Sequence, residues 1–275
     1  MPRSAMADGL KVWEWPGDPP DTLLMHGIGN YARYWDFLAE EIAGRLRLVA
    51  YDARGHGDSK KPATGYAPDH FAADAVAVMD AMAMARPLVV GHSMGGFHAT
   101  ALTVLHPERV RALVLVDVGP RVEQEGSSRA RRLSLGRPDR FPDEESALRS
   151  IRETSPGFSE DVYRNRLRWL LAPDGDGFVF RSSKDALAQI LDTRDEGSWV
   201  WDRIGEIRCP VLVVRGTRSQ SFSEATARDM LRALADARLI ELDARHNVSL
   251  DQPHLLADAI VAFAREVGQG VPFGV

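Results

Sequence analysis

The chain of 275 residues has a formal net charge of −5, and 44% of its residues are hydrophobic and 27% charged. This length suits one large α/β domain, with or without an insertion, and the composition is that of a globular protein with a sizeable core. The mild negative charge gives no reason to expect nucleic acid or an anionic membrane surface as a partner, and the single cysteine excludes an intrachain disulfide framework.

The N-terminal stretch MPRSAMADGLKVWEWPGD has no apolar run as long as a signal peptide requires. Nowhere in the chain do about 18 consecutive apolar residues occur, which is the length that a membrane-spanning helix needs. We therefore expect a cytoplasmic protein that has no membrane partner. The oligomeric state is left open.

Short apolar runs alternate with amphipathic stretches along most of the chain. In chain order, six runs are typical of buried strands: DTLLMHG, LRLVAYD, RPLVVGHS, RALVLVDVG, CPVLVVRG and ARLIELD. Four stretches have the period of a helix: YWDFLAEEIAG, DHFAADAVAVMDAMAM, MGGFHATALTVLHP and SEATARDMLRALAD. This alternation predicts an α/β fold with a mostly parallel sheet flanked by helices, and it places the chemistry in the loops that follow the strands.

The alternation stops between residues 121 and 206, in a segment rich in both signs of charge. This segment contains helical pieces such as EDVYRNRLRWLLA, and a PDGDG turn followed by a short strand, FVFRS. Because strand patterns of one sheet flank the segment, we expect residues 121–206 to form a mainly helical cap. The core would then comprise residues 1–120 and 207–275.

The stretch PLVVGHSMGGFHATAL places a G-x-S-x-G pattern, centred on Ser93, between a strand and a helix. The pattern alone is weak, but here the strand must turn sharply into the helix, which only small neighbours such as Gly91 and Gly95 permit. The turn would bring the Ser93 hydroxyl to a helix N-terminus, where developing negative charge is favoured. Ser93 is therefore the candidate nucleophile.

A serine nucleophile needs backbone amides that stabilise the oxyanion. The N–H of Met94, directly after Ser93, is one candidate. The segment LLMHGIGN follows the first strong strand and offers the second. Gly27 and Gly29 would let this loop fold beneath the substrate, so that the N–H of Ile28 could donate.

The nucleophile also needs a base, and eight histidines compete for that role. His246, in LIELDARHNVSLDQP, follows the last strand and precedes the C-terminal helix, from where a base could reach Ser93. His26, His56 and His92 lie in tight loops or in the turn itself, and we expect them to be structural.

Six segments occur in an order that resembles the α/β-hydrolase superfamily: LMHGIGN, YDARGHGDS, GHSMGG, LVLVDVGP, CPVLVVRG and RHNVSLDQP. The chain is most similar to serine esterase-like members that have a helical lid. The resemblance implies the α/β-hydrolase fold and a catalytic triad in the chain order nucleophile, acid, base. It implies no cofactor.

The acid departs from the family pattern. In many members it follows the late strand as G-x-x-D, but in this chain Gly216 is followed at the third position by Ser219. Asp117, at the end of the strand in LVLVDVGP, resembles the acid of some members, including certain dehalogenases, and we predict that it orients His246. A residue of the loop 219–224, or the loss of a true acid, remains an alternative.

Four tryptophans are candidate substrate contacts: Trp35, Trp169, Trp199 and Trp201. Packing between lid and core is the alternative for each of them. No group of His, Cys and Asp has the spacing of metal ligands, and no G-x-G-x-x-G follows the first strand. We therefore expect neither a metal site nor a dinucleotide site.

These features predict a serine hydrolase that cleaves a small or medium carboxylic ester or lactone through an acyl-enzyme. Two alternatives stay open. One is a hydrolase of C–C bonds in dienoic ring-cleavage products, for which Asn30 and Arg33 are the evident anchors of the substrate's acid end. The other is a ligand-binding receptor on a hydrolase scaffold.

Overall fold

A computed structural model describes residues 2–120, 124–193 and 198–268. The strands in this part of the chain are β1 (Arg3–Ala7), β2 (Leu10–Trp15), β3 (Thr22–Met25), β4 (Leu48–Tyr51), β5 (Leu88–His92), β6 (Ala112–Val116), β7 (Arg140–Phe141), β8 (Leu171–Asp174), β9 (Gly177–Phe180), β10 (Val211–Gly216) and β11 (Ala237–Leu242). The helices are α1 (Asp36–Ile42), α2 (Pro68–Ala81), α3 (Met94–Leu105), α4 (Gln124–Leu135), α5 (Glu144–Thr154), α6 (Glu160–Leu170), α7 (Lys184–Asp192), α8 (Trp199–Asp202), α9 (Glu224–Ala233), α10 (Val248–Asp251) and α11 (Pro253–Gly268).

Eight strands form one sheet in the order β1-β2-β4-β3-β5-β6-β10-β11. β2 is antiparallel to both of its neighbours, and all the other neighbouring pairs are parallel. The six strands predicted from apolar runs are β3, β4, β5, β6, β10 and β11, and the predicted mostly parallel sheet is confirmed. The N-terminal hairpin of β1 and β2 was not predicted.

The central strands are buried on both faces, which is why they are apolar without alternation. In β6, Leu113 and Leu115 pack into one hydrophobic cluster, and Val114 and Val116 pack into the cluster on the opposite face. Successive side chains of a strand point to opposite faces, so each run of apolar residues serves two cores.

Helices cover both faces of this sheet, as predicted. α2, α3 and α9 contribute buried residues to the cluster that contains Leu113, whereas α1 and α11 contribute to the cluster that contains Val114. The carboxyl ends of the parallel strands therefore meet at one edge of a three-layer core, and the loops that follow them share that edge.

The segment between β6 and β10 has a different architecture. It contains α4 to α8 and a three-stranded antiparallel sheet in the order β7-β9-β8, in which β9 includes the first three residues of the predicted FVFRS strand. Capping residues define several helix starts: Asp143 accepts from the Ser146 N–H at 2.7 Å, and Ser183 accepts from the Ala186 N–H at 3.2 Å. Within the described ranges, no helix has the length and apolarity to cross a membrane.

Candidate active site

The turn between β5 and α3 holds Ser93 in a strained conformation, with φ 53° and ψ −121°. The glycines beside it leave no room for a side chain. A Cβ on Gly95 would lie 2.1 Å from the Met25 carbonyl oxygen, and one on Gly91 would lie 2.5 Å from the Gly95 carbonyl oxygen. The glycines thus let the turn pack against β3, so that Ser93 stands at the start of α3.

A chain of hydrogen bonds runs from Ser93 through His246 to Asp117. The distance from Ser93 Oγ to His246 Nε2 is 3.0 Å, and the distance from His246 Nδ1 to Asp117 Oδ2 is 2.7 Å. A carboxylate can only accept, so Nδ1 carries the proton and donates to Asp117, and Nε2 of the neutral ring then accepts from the Ser93 hydroxyl. The predicted nucleophile, base and acid are therefore brought together from three separate loops.

Asp117 lies directly after β6 with a left-handed φ of 50°, and its side chain is fully buried. Besides His246, two groups donate to its carboxylate: the Gly216 N–H at 2.9 Å and the Ser219 hydroxyl at 2.5 Å. Burial of a carboxylate is unfavourable unless its oxygens are hydrogen-bonded, and here both oxygens accept. Ser219 thus stands where the family usually has its acid, and it contacts the acid at Asp117 instead.

The other acids near the base are occupied elsewhere. Glu224 forms an ion pair with Arg228 on the first turns of α9. Asp251 accepts from the Arg245 backbone N–H at 2.7 Å and from the Arg245 guanidinium. Neither side chain contacts His246 among the described hydrogen bonds, so the geometry favours Asp117 over the alternatives.

The loop after β3 approaches the nucleophile closely. A Cβ on Gly27 would lie 3.3 Å from the Ser93 Cβ. The loop is fixed by the Asn30 N–H, which donates to the Gly27 carbonyl at 3.1 Å, and by the Gly29 N–H, which donates to His56 Nε2 at 2.9 Å. Ile28 and Met94, the two residues predicted to supply the oxyanion amides, line the same cavity as Ser93.

Three buried histidines brace these loops, as the sequence suggested. His26 Nε2 accepts from the Ala53 N–H at 3.0 Å, and His56 accepts from the loop after β3. His92 Nε2 donates to the His246 carbonyl at 2.9 Å. Burial lowers the pKa of all three rings, so they are neutral at neutral pH and act as hydrogen-bonding groups rather than as cations.

A cavity of about 780 Å³ opens beside Ser93 and His246. Its floor is made by the loops at the carboxyl ends of the strands, and α4 to α7 and β9 contribute residues to its other walls. The cavity is large enough for a small or medium organic molecule.

One of the four predicted tryptophan contacts lines the cavity, namely Trp201. The other three lie outside the lining, contrary to the prediction. Trp35 is fully buried in the core against Tyr34, Trp169 packs edge-on against Trp13, and Trp199 is partly buried against the core. Their apolar area is used in packing, which was the alternative interpretation.

Arg33 is not available as an anchor for a substrate acid. Its Nε lies 2.6 Å from Asp36, and its guanidinium lies over the rings of Trp13 and Trp169. Asn30 does line the cavity, whereas Arg166, which the sequence reasoning missed, is an arginine of the cavity wall. α6 carries arginines at three alternate positions, and no sequence signal tells which of them points inward.

No metal site accompanies this arrangement in the described part of the chain. Within residues 2–120, 124–193 and 198–268, no three side chains of His, Cys, Asp or Glu are grouped to hold an ion. The polar groups that meet around Ser93 are its hydroxyl, the His246 imidazole and the Asp117 carboxylate, which is the set used for nucleophilic acyl transfer.

Comparison with known proteins identifies the family of the chain. The model of the alpha/beta hydrolase family matches residues 22–259. The chain is 28% identical to 2-(acetamidomethylene)succinate hydrolase of Mesorhizobium japonicum, over 90% of this chain and 88% of that protein. It is 25% identical to 3-oxoadipate enol-lactonase 2 of Acinetobacter baylyi, over 89% of this chain and 88% of that protein.

A solved structure has the same fold over nearly the whole chain. The crystal structure of E-2-(acetamidomethylene)succinate hydrolase superimposes with a TM-score of 0.86 at 27% identity, covering 96% of this chain and all of that one. The family match, the parallel sheet and the strand–serine–helix turn all agree. The chain therefore belongs to the alpha/beta hydrolase family and is a hydrolase.

Proposed function

We propose that the chain is a serine hydrolase that cleaves a small or medium carboxylic ester or lactone, with Ser93, His246 and Asp117 as its catalytic triad. The observation that carries the proposal is the continuous hydrogen-bond chain among these three side chains, with distances of 3.0 and 2.7 Å, at the wall of a cavity. One relative is named as an enol-lactonase, which supports a lactone among the substrates.

In the first half of the reaction, Ser93 Oγ attacks the carbonyl carbon while His246 Nε2 takes the hydroxyl proton. His246 then returns this proton to the leaving oxygen as the bond to the alcohol breaks. Asp117 holds the Nδ1–H tautomer and stabilises the imidazolium that forms. The Ile28 and Met94 amides would donate to the oxyanion, whose negative charge is absent from the ground state.

In the second half, water attacks the acyl-enzyme, again with His246 as base. The oxygen of the water joins the acyl carbon, Ser93 regains its proton, and a carboxylic acid leaves. For a lactone the alcohol and the acid stay in one molecule. This cycle balances with water as the sole co-substrate, so the proposal requires no cofactor.

Residues 121–206 are proposed to act as a cap domain. Helices α4 to α7 contribute walls to the cavity while the core contributes the triad, so the segment would select the substrate and limit the entry of water. In this fold, the core supplies the chemistry and the added segments supply the specificity.

Hydrolysis of p-nitrophenyl butyrate tests the proposal. We expect turnover by the wild type and a loss of at least about 10⁴-fold in Ser93→Ala, because the nucleophile is removed. Ser128→Ala is the matched control, since Ser128 is an exposed serine of α4. Full activity in Ser93→Ala would refute the assignment of the nucleophile.

A C–C bond hydrolase that uses the same triad is the second candidate. Asn30 lines the cavity close to the oxyanion loop, where an amide could hold the acid end of a dienoic substrate. Ser93-dependent turnover of a vinylogous diketone, together with inactivity on simple aryl esters, would favour this function. Tight binding without turnover, insensitive to Ser93→Ala, would instead favour the receptor hypothesis.

A further inference from the structure

Arginines dominate the charged side chains of the cavity beside Ser93. Among the described residues that line it, six are arginines and two are carboxylic acids, so its walls carry a net positive charge. One of the acids is Asp117, which binds His246, and the other is Glu153, which is exposed on α5. The excess of positive charge is at odds with the net charge of −5 for the whole chain.

Several of these arginines have partners or face solvent. Arg245 lies 2.5 Å from Asp251, and Arg218 lies 2.7 Å from Asp243. The two arginines of α4 that line the cavity are exposed: Arg129 and Arg132. Partnered or solvated charges of this kind contribute little to binding, because a counter-ion or water already compensates them.

Arg137 is more buried. Its guanidinium donates to the Ser182 hydroxyl at 2.7 Å and to the Ser182 carbonyl at 2.6 Å, and it lies over the Phe180 ring. Burial lowers its pKa to about 10, so it still carries its charge at neutral pH. Two of its nitrogens already donate to Ser182. Arg137 therefore contributes positive potential to the cavity, but its guanidinium cannot bind a carboxylate in the bidentate geometry without losing these bonds.

Arg166 differs from the other five. It lies on α6, lines the cavity, and forms no hydrogen bond or ion pair with any described residue, although its Nε is buried. Asp36, the carboxylate that binds the neighbouring residue Asn165, is occupied by the Asn165 amide at 2.9 Å and by Arg33 at 2.6 Å. Arg166 therefore presents an unpaired cation to a cavity that contains the nucleophile.

The Arg166 side chain is partly buried and its Nε has no hydrogen-bond partner, and a carboxylate that bonds to a guanidinium in the bidentate geometry satisfies such an N–H group best. We propose that the substrate of this cavity carries an ionised carboxyl group in addition to the bond that is cleaved, and that Arg166 binds this group. The inference rests on the proposed function, because it names the substrate class of the Ser93 site. Under this proposal, Arg166 determines the specificity of the site for substrates that carry a carboxylate.

Two esters of p-nitrophenol test the preference: the monoester of adipic acid and the ester of hexanoic acid. The acyl chains have six carbons each and differ in the terminal carboxylate. We expect the wild type to have a kcat/KM at least about 10-fold higher for the adipate monoester, and Arg166→Met to reduce the ratio of the two values by about 10- to 100-fold. Arg166→Lys keeps the positive charge but lacks the bidentate geometry of a guanidinium, so its ratio should lie between those of Arg166→Met and the wild type.

Arg164→Met is the matched control. Arg164 lies on the same helix and is exposed, so this variant loses the same charge without altering the cavity wall. The adipate-to-hexanoate ratio should then stay within about twofold of the wild type, since an exposed charge is screened by water and salt. A second pair, 3-acetoxybenzoate and phenyl acetate, repeats the comparison with the carboxylate on the leaving group.

A binding measurement keeps the inference testable if no ester is turned over. Calorimetric titration of Ser93→Ala with adipate should show saturable binding that is lost when Arg166→Met is added, and dimethyl adipate should bind more weakly. Equal ratios in wild type and Arg166→Met for both substrate pairs, with adipate binding unchanged, would overturn the inference. If hexanoate hydrolysis still depended on Ser93, the proposed function would survive that failure.

Discussion

Asp117 and Ser219 form one unit at the end of two neighbouring strands. The Ser219 hydroxyl lies 2.5 Å from the carboxylate oxygen that also accepts from His246 at 2.7 Å. The two positions from which the family can supply an acid are therefore within one hydrogen bond of each other. This adjacency explains how an acid can be at either strand end while the base stays in place.

We expect Asp117→Asn to reduce kcat by about 10³- to 10⁴-fold, because an amide cannot stabilise the imidazolium. Adding Ser219→Asp should recover at least about 10-fold of this loss, since the new carboxylate enters the pocket that the ring faces. Ester hydrolysis over pH 5–9 would measure both effects. Thr217→Asp in the same background is the control for added charge, and an equal recovery there would refute the exchange of acids.

At the scale of elements, the turn from β5 to α3 depends on the absence of a Cβ at Gly95. We expect Gly95→Ala to lower the free energy of unfolding by more than about 2 kcal/mol and to reduce activity, because the methyl group would displace the turn from the Met25 carbonyl. Gly205→Ala, whose Cβ would meet its nearest neighbour at 3.4 Å, should change stability by less than about 0.5 kcal/mol. Urea denaturation measures the free energy of unfolding of both variants, and equal values for the two would contradict this account of the turn.

The elements that could be predicted are those buried on both faces. β6 has the sequence ALVLV and every residue in it is buried, so its continuous apolar run predicts a buried strand. β1 reads RSAMA with four of its five residues exposed, and it is an edge strand whose pairing with β2 is set by backbone bonds. Its sequence has no apolar pattern to detect, which is why the hairpin was missed.

The same limit applies to the site. Ser93 and His246 could be found because a turn that requires glycines and a position after a strand constrain them in the sequence. Asp117 needed the observation that Ser219 had replaced the usual acid. Arg166 could not be found, since its partnerless state depends on which way α6 is rotated and on Asp36 being occupied. Functional residues in loops that follow strands can be predicted from the sequence. Residues of a cavity wall that a separate segment contributes can be identified only from the three-dimensional structure.

At the scale of the whole molecule, four neutral histidines lie in the core: His26, His56, His92 and His98. Burial is the largest cause of the lowered pKa of each ring, and it lowers the pKa of His98 to about 3 from the ordinary value of 6.5. Above pH 6.5 these rings are neutral in both the folded and the unfolded chain. Below it the unfolded chain binds protons that the folded chain does not, so stability falls as pH falls.

We therefore expect the free energy of unfolding to decrease between pH 7.5 and pH 5.5, by about 1.4 kcal/mol for each histidine that stays neutral at pH 5.5. Urea titrations at several pH values measure this dependence. His98→Gln should reduce the pH dependence, because it removes the ring whose pKa is lowered to about 3. A stability that is constant or higher at pH 5.5 would contradict the assignment of neutral buried rings.

The central claim is that Ser93 becomes covalently attached to the acyl group. Mass spectrometry of the protein treated with diethyl p-nitrophenyl phosphate tests it most directly, because this reagent phosphorylates a serine only where a base activates it. We predict one diethylphosphoryl group per chain, located on Ser93 by peptide mapping, absent in Ser93→Ala and formed much more slowly in His246→Ala. An unmodified wild-type protein, or a group attached to another residue, would contradict the account.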